Sequence, residues 1–371
     1  MMHNSPLDDV MNGAVETAVR RVDRLMQSGH VLEALEIAKS LNRTAPLDGE
    51  LASLINDLQR RAIPRWHFSM LNDEGRNNAL WRALEAKVTP GSIVLDIGAG
   101  SGLLAMMAAK LGAKYVYSCE MVQPIALLAR QIVAANGLAD RVKIIDKKSS
   151  DVMVGRDIPE RANLLVTETI DCGLLGEGML PIISHARQYL LAENSDFIPQ
   201  RTTLYMALLE SKEIHARNHV DRVHGFNVRQ FNQFCTVGYF PVRLHACRHR
   251  MLSVPRPIFV FDCKRDPLGP ETKFLEIPIE KSGTVHGVVF WFDVELADGV
   301  HLTNAPPARD SHWMQAVQTF ERAIPVERGK ILTGGISHDL NQLAFTFHGM
   351  QPHHLAPIML AGRGAAARGG E

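Results

Sequence analysis

The chain has 371 residues, enough for two or three domains with a large core. Its 40 Lys and Arg residues balance its 40 Asp and Glu residues, so the overall charge predicts binding to neither nucleic acid nor membrane. The five cysteines include no C-x-x-C pair, which argues against a disulfide framework and against a zinc site, and we expect no metal. No apolar run approaches the roughly 18 residues of a membrane span and no signal peptide is evident, so we expect a cytoplasmic protein.

Residues 1–60 are predicted to be helical. Apolar residues recur at helical spacing from Val10 to Met26, and Gly29, Ala34 and Pro46 follow. A tetratricopeptide repeat has small residues and a terminal proline at such positions, because they let two antiparallel helices pack closely. We therefore predict a tetratricopeptide-like hairpin, with a plain helical extension as the alternative.

Residues 61–198 alternate between strand-like and helix-like segments. This alternation is typical of a doubly wound, Rossmann-like α/β fold with a parallel sheet, in which functional residues gather at the carboxyl ends of the strands. The predicted strands are Ile93–Leu95, Tyr115–Ser118, Val142–Ile145 and Asn163–Thr167, and the predicted helices are Leu103–Leu111, Pro124–Asn136 and Leu180–Leu191.

The most informative segment of this domain lies where its first strand ends. Asp96 precedes Gly98, Gly100 and Gly102 in the pattern D-x-G-x-G-x-G. Glycines at such a turn let the backbone approach a nucleotide-type ligand closely. Glu120 follows Gly98 by 22 residues and ends the second strand, about where a carboxylate meets ribose hydroxyls. The spacing is typical of class I methyltransferases rather than dinucleotide enzymes, and predicts S-adenosyl-L-methionine as cofactor.

Two glutamates, Glu168 and Glu177, lie nine residues apart on a glycine-punctuated loop after the fourth strand. In this fold that loop faces the methyl group of the cofactor. A guanidinium offers five donors in a planar fork, which suits two convergent carboxylates. The carboxylates would also offset the repulsion between a positive sulfonium and a positive arginine. The alternative for this loop is a solvated acidic segment without a catalytic role.

The character of the sequence changes after Pro199. Strand-like patterns occupy residues 201–209, 236–263, 284–296 and 330–348. A polar stretch at 210–234 with partial helical periodicity interrupts them. We predict a β-barrel-like substrate domain over 199–360 that carries a helical arm at about 210–234. The glycine-, alanine- and arginine-rich segment 361–371 is predicted to be disordered.

From about residue 64 to 347 the sequence resembles the protein arginine N-methyltransferase family. Glu168 and Glu177 match its double-glutamate loop, and Ser311-His312-Trp313 is similar to its Thr-His-Trp loop. Residues 291–295, Trp-Phe-Asp-Val-Glu, resemble one of its barrel strands. The most similar members are one that bears tetratricopeptide repeats and makes symmetric dimethylarginine, and one that stops at monomethylarginine.

The resemblance implies further cofactor contacts. Residues 66–76 are similar to the segment that covers the cofactor, which implies that His67, Met70 and Arg76 lie at the cofactor site. Arg76 is implied to pair with the methionine carboxylate. Ser150 stands where many members have a glutamate that reads the adenine amino group, so we expect Ser149 and backbone groups to take that place.

The resemblance also implies that Asp73 pairs with His312 and that the pair accepts or relays the proton lost after transfer. It implies a homodimer, because the arm is similar to one that grips the cofactor domain of a partner. The predicted function is S-adenosylmethionine-dependent methylation of arginine in proteins with Arg-Gly sequences. Two alternatives stay open at this stage: a class I methyltransferase for another amine, such as lysine or a ribosomal protein, and a tetratricopeptide-like scaffold with an idle catalytic fold.

Overall fold

The structure is a computed structural model that describes residues 17, 19–26, 28, 30–44 and 49–347. It begins with three helices: α1 (residues 19–26), α2 (Val31–Thr44) and α3 (Gly49–Ala62). They pack around a small apolar core of their own. The buried members of that core are Val22, Ala34, Ala38, Leu51 and Leu58. Among the described residues no helix combines the length and apolarity needed to cross a bilayer.

Only part of the predicted tetratricopeptide pattern can be located. Ala34 is fully buried in the helical core, as a small residue at a close helix contact should be. Gly29, Pro46 and the predicted disordered segment 361–371 lie outside the described residues. The tetratricopeptide-like assignment of residues 1–60 therefore stays a prediction.

Two helices lead into the central sheet. Helix α4 (Trp66–Leu71) is short and buries none of its side chains. Helix α5 (Glu74–Lys87) follows at once, and Asp73 caps it by accepting the backbone N–H of Arg76 at 2.9 Å. This cap fixes where the first turn of α5 begins and so where Arg76 points.

A five-stranded sheet forms the centre of the cofactor half, in the order β3-β2-β1-β4-β5, and every neighbouring pair is parallel. The predicted parallel α/β fold is confirmed. The strand order reverses between β1 and β4, which opens a crevice at their carboxyl ends. The strands are β1 (Ile93–Ile97), β2 (Tyr115–Glu120), β3 (Val142–Asp146), β4 (Ala162–Thr167) and β5 (Leu191–Ile198), and the helices between them are α6 (Leu103–Lys110), α7 (Gln123–Ala135) and α8 (Met179–His185).

The second half is rich in β-strands, as the sequence predicted, and its neighbouring strands are antiparallel. One sheet has the order β10-β6-β13-β15-β9, with β11 also on β6 and β14 also on β13, and a smaller sheet has the order β12-β16-β17. Its long central strand is fully buried at 288–290 because it lies between two neighbours. The strands are β6 (Arg201–Glu210), β9 (Phe240–Val242), β10 (Arg250–Met251), β11 (Arg256–Asp262), β12 (Glu271–Pro278), β13 (Gly283–Ala297), β14 (Val300–Thr303), β15 (Gln315–Val326), β16 (Ile331–His338) and β17 (Leu343–Phe347).

The arm, defined here as residues 212–238, contains less helix than its periodicity suggested. It has one helical turn, α9 (Lys212–His215), then the hairpin β7 (Arg222–Val223) and β8 (Phe226–Asn227). A 3₁₀ turn over 229–234 completes it. The backbone adopts a positive φ at His224 and Gly225, which makes a tight turn and excludes a continuous helix there.

Candidate active site

Asp96 lies at the carboxyl end of β1 with almost no exposed surface. Its Oδ2 accepts a hydrogen bond of 2.6 Å from the Ser118 hydroxyl of the neighbouring strand. Its Oδ1 has no hydrogen-bond partner among the described residues. Burial raises the pKa of Asp96 to about 7, against the lowering effect of Ser118. A buried acceptor without a partner is costly alone, so this oxygen is suited to a donor from a ligand.

Glu120 fixes the glycine loop after Asp96 through two hydrogen bonds to the backbone. One carboxylate oxygen of Glu120 accepts the backbone N–H of Gly100 at 3.0 Å, and the other accepts that of Val122 at 2.9 Å. Gly100 has a positive φ of 53°, and a Cβ added there would meet nothing within 4 Å. The backbone at Gly100 is therefore open to a ligand at the end of the sheet, beside the buried carboxylate of Asp96.

Arg76 and Glu168 form a buried ion pair at the reversal point of the sheet. Arg76 donates from Nε to Glu168 Oε2 at 2.9 Å and also from Nη2, and the two side chains are only 4 % and 5 % exposed. Its Nη1 donates to Asn77 Oδ1 at 2.8 Å. Burial raises the pKa of Glu168, and the adjacent guanidinium only partly opposes this. These bonds use three of the five guanidinium N–H groups, so Arg76 keeps donors for a further acceptor.

Asp73 joins Arg76 to His312. While one oxygen of Asp73 caps α5, the other accepts the His312 backbone N–H at 2.9 Å and pairs with its Nδ1 at 2.9 Å. Burial pushes the pKa of Asp73 upward, but hydrogen bonds from Arg76 and His312 outweigh it and leave the pKa lowered. Burial also lowers the pKa of His312, against the pull of Asp73. A neutral ring that donates Nδ1–H to Asp73 leaves Nε2 as an acceptor.

Glu177 completes the acidic loop. It keeps a solvent-exposed surface, yet the protein around its carboxyl group raises its pKa to about 7 through desolvation. The carboxylates of Glu168 and Asp171 add to this rise. Because neighbouring negative charges disfavour the ionised form of Glu177, a cation brought beside it would be stabilised.

Side chains from the antiparallel half clamp the acidic loop in place. Trp313, from the loop that follows β14, donates its indole N–H to the carbonyl of Ile170 at 2.8 Å. Asn304, fully buried, donates to the carbonyl of Cys172 at 3.0 Å. A cavity of about 440 Å³ opens beside this clamp, between the start of α5, strand β14 and the loop before β15. Asp73, Glu74, Arg76, Asp310 and Trp313 are among its lining residues.

Comparison with known proteins agrees with this geometry. A family model described as "Arginine methyltransferase oligomerization subdomain" matches residues 200–348, and one described as "Ribosomal protein L11 methyltransferase (PrmA)" matches residues 79–170. The chain is 41% identical over 281 residues to an arginine N(omega)-methyltransferase of Streptomyces achromogenes subsp. streptozoticus. The aligned region covers 76% of this chain and 78% of that protein. The chain belongs to the arginine methyltransferase family.

Other members of the arginine methyltransferase family match over a smaller share of their length. Protein arginine N-methyltransferase 7 of Oryza sativa subsp. indica is 33% identical over 319 residues, which is 75% of this chain and 44% of that protein. Protein arginine N-methyltransferase 9 of Xenopus laevis is 30% identical over 362 residues, 89% of this chain and 43% of that protein. The chain thus spans less than half the length of these two relatives. The model of the ribosomal protein L11 methyltransferase matches only residues 79–170, in the half with the parallel sheet. Lysine or a ribosomal protein as the methyl acceptor is therefore not favoured.

A solved arginine methyltransferase shares the fold. The Trypanosoma brucei PRMT1 enzyme-prozyme heterotetrameric complex with AdoHcy matches with a TM-score of 0.66 and 23% identity, over 78% of this chain and 95% of that chain. The sequence-based identification of an arginine methyltransferase with a Rossmann-like sheet and an antiparallel β domain is confirmed.

The structure brings most, but not all, of the predicted site residues together. Ser149 is buried at the start of a 3₁₀ turn after β3. His67 and Met70 lie half-exposed on α4, where His67 stacks on Trp66 at 3.9 Å and its Nδ1 lies 3.1 Å from the carbonyl of Pro64. Both of these contacts lie within the segment that carries α4. One residue that the sequence did not single out, Tyr239, donates its hydroxyl to Asp171 of the acidic loop at 2.7 Å.

Proposed function

We propose that this arginine methyltransferase transfers a methyl group from S-adenosyl-L-methionine to the guanidinium of arginine in proteins, giving monomethylarginine or symmetric dimethylarginine. The buried network from Glu168 through Arg76 and Asp73 to His312 is the observation that carries the proposal. It groups the carboxylate, cation and imidazole that arginine methylation requires at the crevice of a parallel sheet. Folding alone does not require such a network, because buried ion pairs are often replaceable by apolar residues without loss of stability.

S-adenosyl-L-methionine would supply an electrophilic methyl group. The unpartnered Asp96 Oδ1 and the open backbone at Gly100 suit its polar groups. Glu120, already positioned by the loop, would accept from ribose hydroxyls. The remaining donors of Arg76 would hold the methionine carboxylate. His67, Met70 and Ser149 are proposed contacts that complete the cofactor site.

The acceptor guanidinium would be held between Glu177 and Glu168. Because Glu168 is already paired with Arg76, Glu177 is the carboxylate with more free acceptor positions, and a bidentate contact suits it. The carboxylates draw positive charge toward the nitrogens that do not react and align the one that does. Such positioning in a dry site can lower a barrier by several kcal/mol. Nε2 of His312, oriented by Asp73, is the proposed acceptor for the proton released.

Free arginine is a second candidate substrate. The Streptomyces achromogenes relative, of which the chain covers 78%, is named an arginine N(omega)-methyltransferase, with no mention of protein in its name. Both substrates present the same guanidinium to Glu168 and Glu177, so the site chemistry described above applies to both. The surroundings of the guanidinium, rather than the acidic loop, would distinguish them.

A homodimer formed through the arm is part of the proposal. The matching family model is described as an oligomerization subdomain. The arm exposes three phenylalanines, Phe226, Phe231 and Phe234, at 74 %, 71 % and 83 %. Exposed apolar surface of this kind marks protein interaction sites.

All five cysteines are free, in keeping with the predicted cytoplasmic location.

In the decisive experiment, the purified protein is incubated with labelled S-adenosyl-L-methionine and one of three acceptors. The acceptors are an Arg-Gly peptide, the same peptide with Lys in place of Arg, and free L-arginine. Mass spectrometry of the hydrolysate identifies the methylated amino acid. We expect methylarginine from the first acceptor and none from the Lys peptide. Label only on free L-arginine would select the second candidate, and label on neither arginine would refute both.

A further inference from the structure

The loop that carries Glu168 and Glu177 is tied together by Asp171. Asp171 Oδ1 accepts the backbone N–H of Gly176 at 2.9 Å, and its Oδ2 accepts the hydroxyl of Tyr239 at 2.7 Å. Asp171 lies three residues after Glu168, and Gly176 immediately precedes Glu177. One carboxylate therefore joins the two ends of the loop, and a side chain from the antiparallel half holds that carboxylate.

The backbone of the acidic loop packs closely against the Tyr239 ring. A Cβ added to Gly173 would come within 2.5 Å of that ring, and one added to Gly176 within 2.5 Å of Asp171 Oδ2. The other side of the ring meets Phe290 of β13 edge-on, with centroids 5.1 Å apart. Because the ring is fixed on both sides, its hydroxyl has a defined position relative to Asp171.

Tyr239 follows the arm directly. Asn218 and Thr236 close the base of the arm with two mutual hydrogen bonds, of 2.9 and 2.7 Å. Asn218 also donates to Thr319 on β15 at 3.0 Å. Tyr239 lies three residues after Thr236 and immediately before β9. The base of the arm and the acidic loop are thus connected through one side chain.

The hydroxyl also has an electrostatic effect. Asp171 adds to the rise in the pKa of Glu177, so a donor on Asp171 offsets part of that negative charge. Burial, with Asp171 nearby, raises the pKa of Tyr239 well above its usual range, which keeps the hydroxyl protonated as a donor. A phenylalanine ring would fill the same space and lose only this contact.

We propose that Tyr239 is a positioning residue for methyl transfer, whose hydroxyl fixes Asp171 and thereby the placement of Glu168 and Glu177. The inference rests on the proposed function, because it assigns Tyr239 a task in that reaction. It makes the base of the arm part of the support of the active site.

The test compares Tyr239→Phe with the wild-type chain and with Tyr189→Phe, a matched control at an exposed tyrosine. We expect kcat for methylarginine formation to fall at least tenfold in Tyr239→Phe, in line with loss of a hydrogen bond to a charged group. The Kd for S-adenosyl-L-methionine should stay unchanged, the melting temperature should fall by no more than a few degrees, and the acid limb of the pH–rate profile should move to higher pH. Unchanged kcat, or an unmoved acid limb, would overturn the proposal.

Asp171→Ala gives an independent check. It removes the carboxylate that accepts from both Tyr239 and Gly176, so kcat should fall at least as far as in Tyr239→Phe, and the double variant should lose little more than Asp171→Ala alone. Its acid limb should move the opposite way, to lower pH, because a negative charge near Glu177 is gone. Losses that multiply in the double variant would show that the two residues act separately and would refute the proposal. A wild-type chain that forms no methylarginine would instead refute the proposed function.

Discussion

Arg76 links two tasks at the level of single residues. It is fixed by the Asp73 cap of α5, pairs with Glu168 of the acidic loop and keeps donors for a cofactor carboxylate. The proposed cofactor site and the proposed guanidinium site would therefore be joined through one side chain. The sequence alone predicted separate roles for Arg76 and Glu168, and their direct pairing makes the two glutamates unequal.

The first prediction follows from this inequality. Glu177→Gln should reduce turnover by roughly 100-fold or more, because it removes a charge used in the transition state, and should leave cofactor affinity within a factor of two. Glu168→Gln should reduce turnover similarly and also weaken cofactor binding, because it deprives Arg76 of its charged partner. Calorimetry and single-turnover kinetics measure both effects. Equal cofactor affinities for the two variants would contradict the shared role of Arg76.

The second prediction concerns pH. Desolvation raises the pKa of Glu177 to about 7, and its ionised form binds the substrate cation, so kcat/KM should rise with pH through about 7. Asp171→Asn should move this limb to lower pH, because Asp171 adds to the raised pKa. Burial also raises the pKa of Asp96 to about 7, but the largest charge effect on Asp96 comes from Glu120, so the Asp171 variant should act mainly on Glu177. A profile that stays flat from pH 6 to 8 would rule out this assignment.

The third prediction concerns Glu120. Glu120→Ala should weaken binding of S-adenosyl-L-methionine by about 1.5–3 kcal/mol, because it removes charge-assisted hydrogen bonds to ribose. It also frees the N–H of Gly100, so the glycine loop should exchange its amide hydrogens faster. Glu160→Ala, at an exposed ion pair far from the loop, is the control. Unaltered cofactor affinity in calorimetry would reject the ribose contact.

At the level of elements, α4 differs from its neighbours. Its six residues bury none of their side chains, and Trp66 and Phe68 are 48 % and 65 % exposed. A short helix without tertiary burial has little stability of its own. The segment is nonetheless predicted to cover the cofactor with His67 and Met70, which requires it to move or to order when the ligand binds.

The fourth prediction tests this element. Binding of S-adenosyl-L-methionine should shift the fluorescence of Trp66 to shorter wavelength, because its indole leaves water. The shift should disappear in Trp66→Phe and persist in Trp81→Phe, which alters a partly buried tryptophan on α5. Fluorescence that ignores a saturating concentration of the ligand would show that α4 does not cover the site.

At the level of the whole molecule, the two large halves share one apolar core. That core runs from α5 and the parallel sheet to β13 and β17 of the antiparallel half. The predicted boundary at residue 199 falls between β5 and β6, yet buried side chains on both sides pack together. The candidate active site lies where the halves meet, so their packing fixes its geometry. The N-terminal helices have a separate small core.

The fifth prediction is the assembly. Light scattering at micromolar concentration should give about twice 41.1 kDa, in keeping with the prevalence of two-fold dimers. Replacing Phe231 and Phe234 by serine should reduce the mass to that of one chain, because it removes apolar surface from the arm, and activity should fall with it. Val260→Ser, at an exposed valine on β11, is the control. A monomeric wild-type chain with full activity would refute the role of the arm.

The sequence by itself determined the parallel sheet, the glycine loop and the acidic pair, because each is coded by local periodicity or by spacing within a few tens of residues. It missed β5, whose exposed polar residues hide the strand pattern, and also β12, β14 and β15, and it overestimated helix in the arm. Only the tertiary structure decided the long-range contacts: Arg76 with Glu168, 92 residues apart, and Tyr239 with Asp171, 68 apart. The physical reason is that such pairs depend on where separate elements dock, and docking is set by a core assembled from the whole chain.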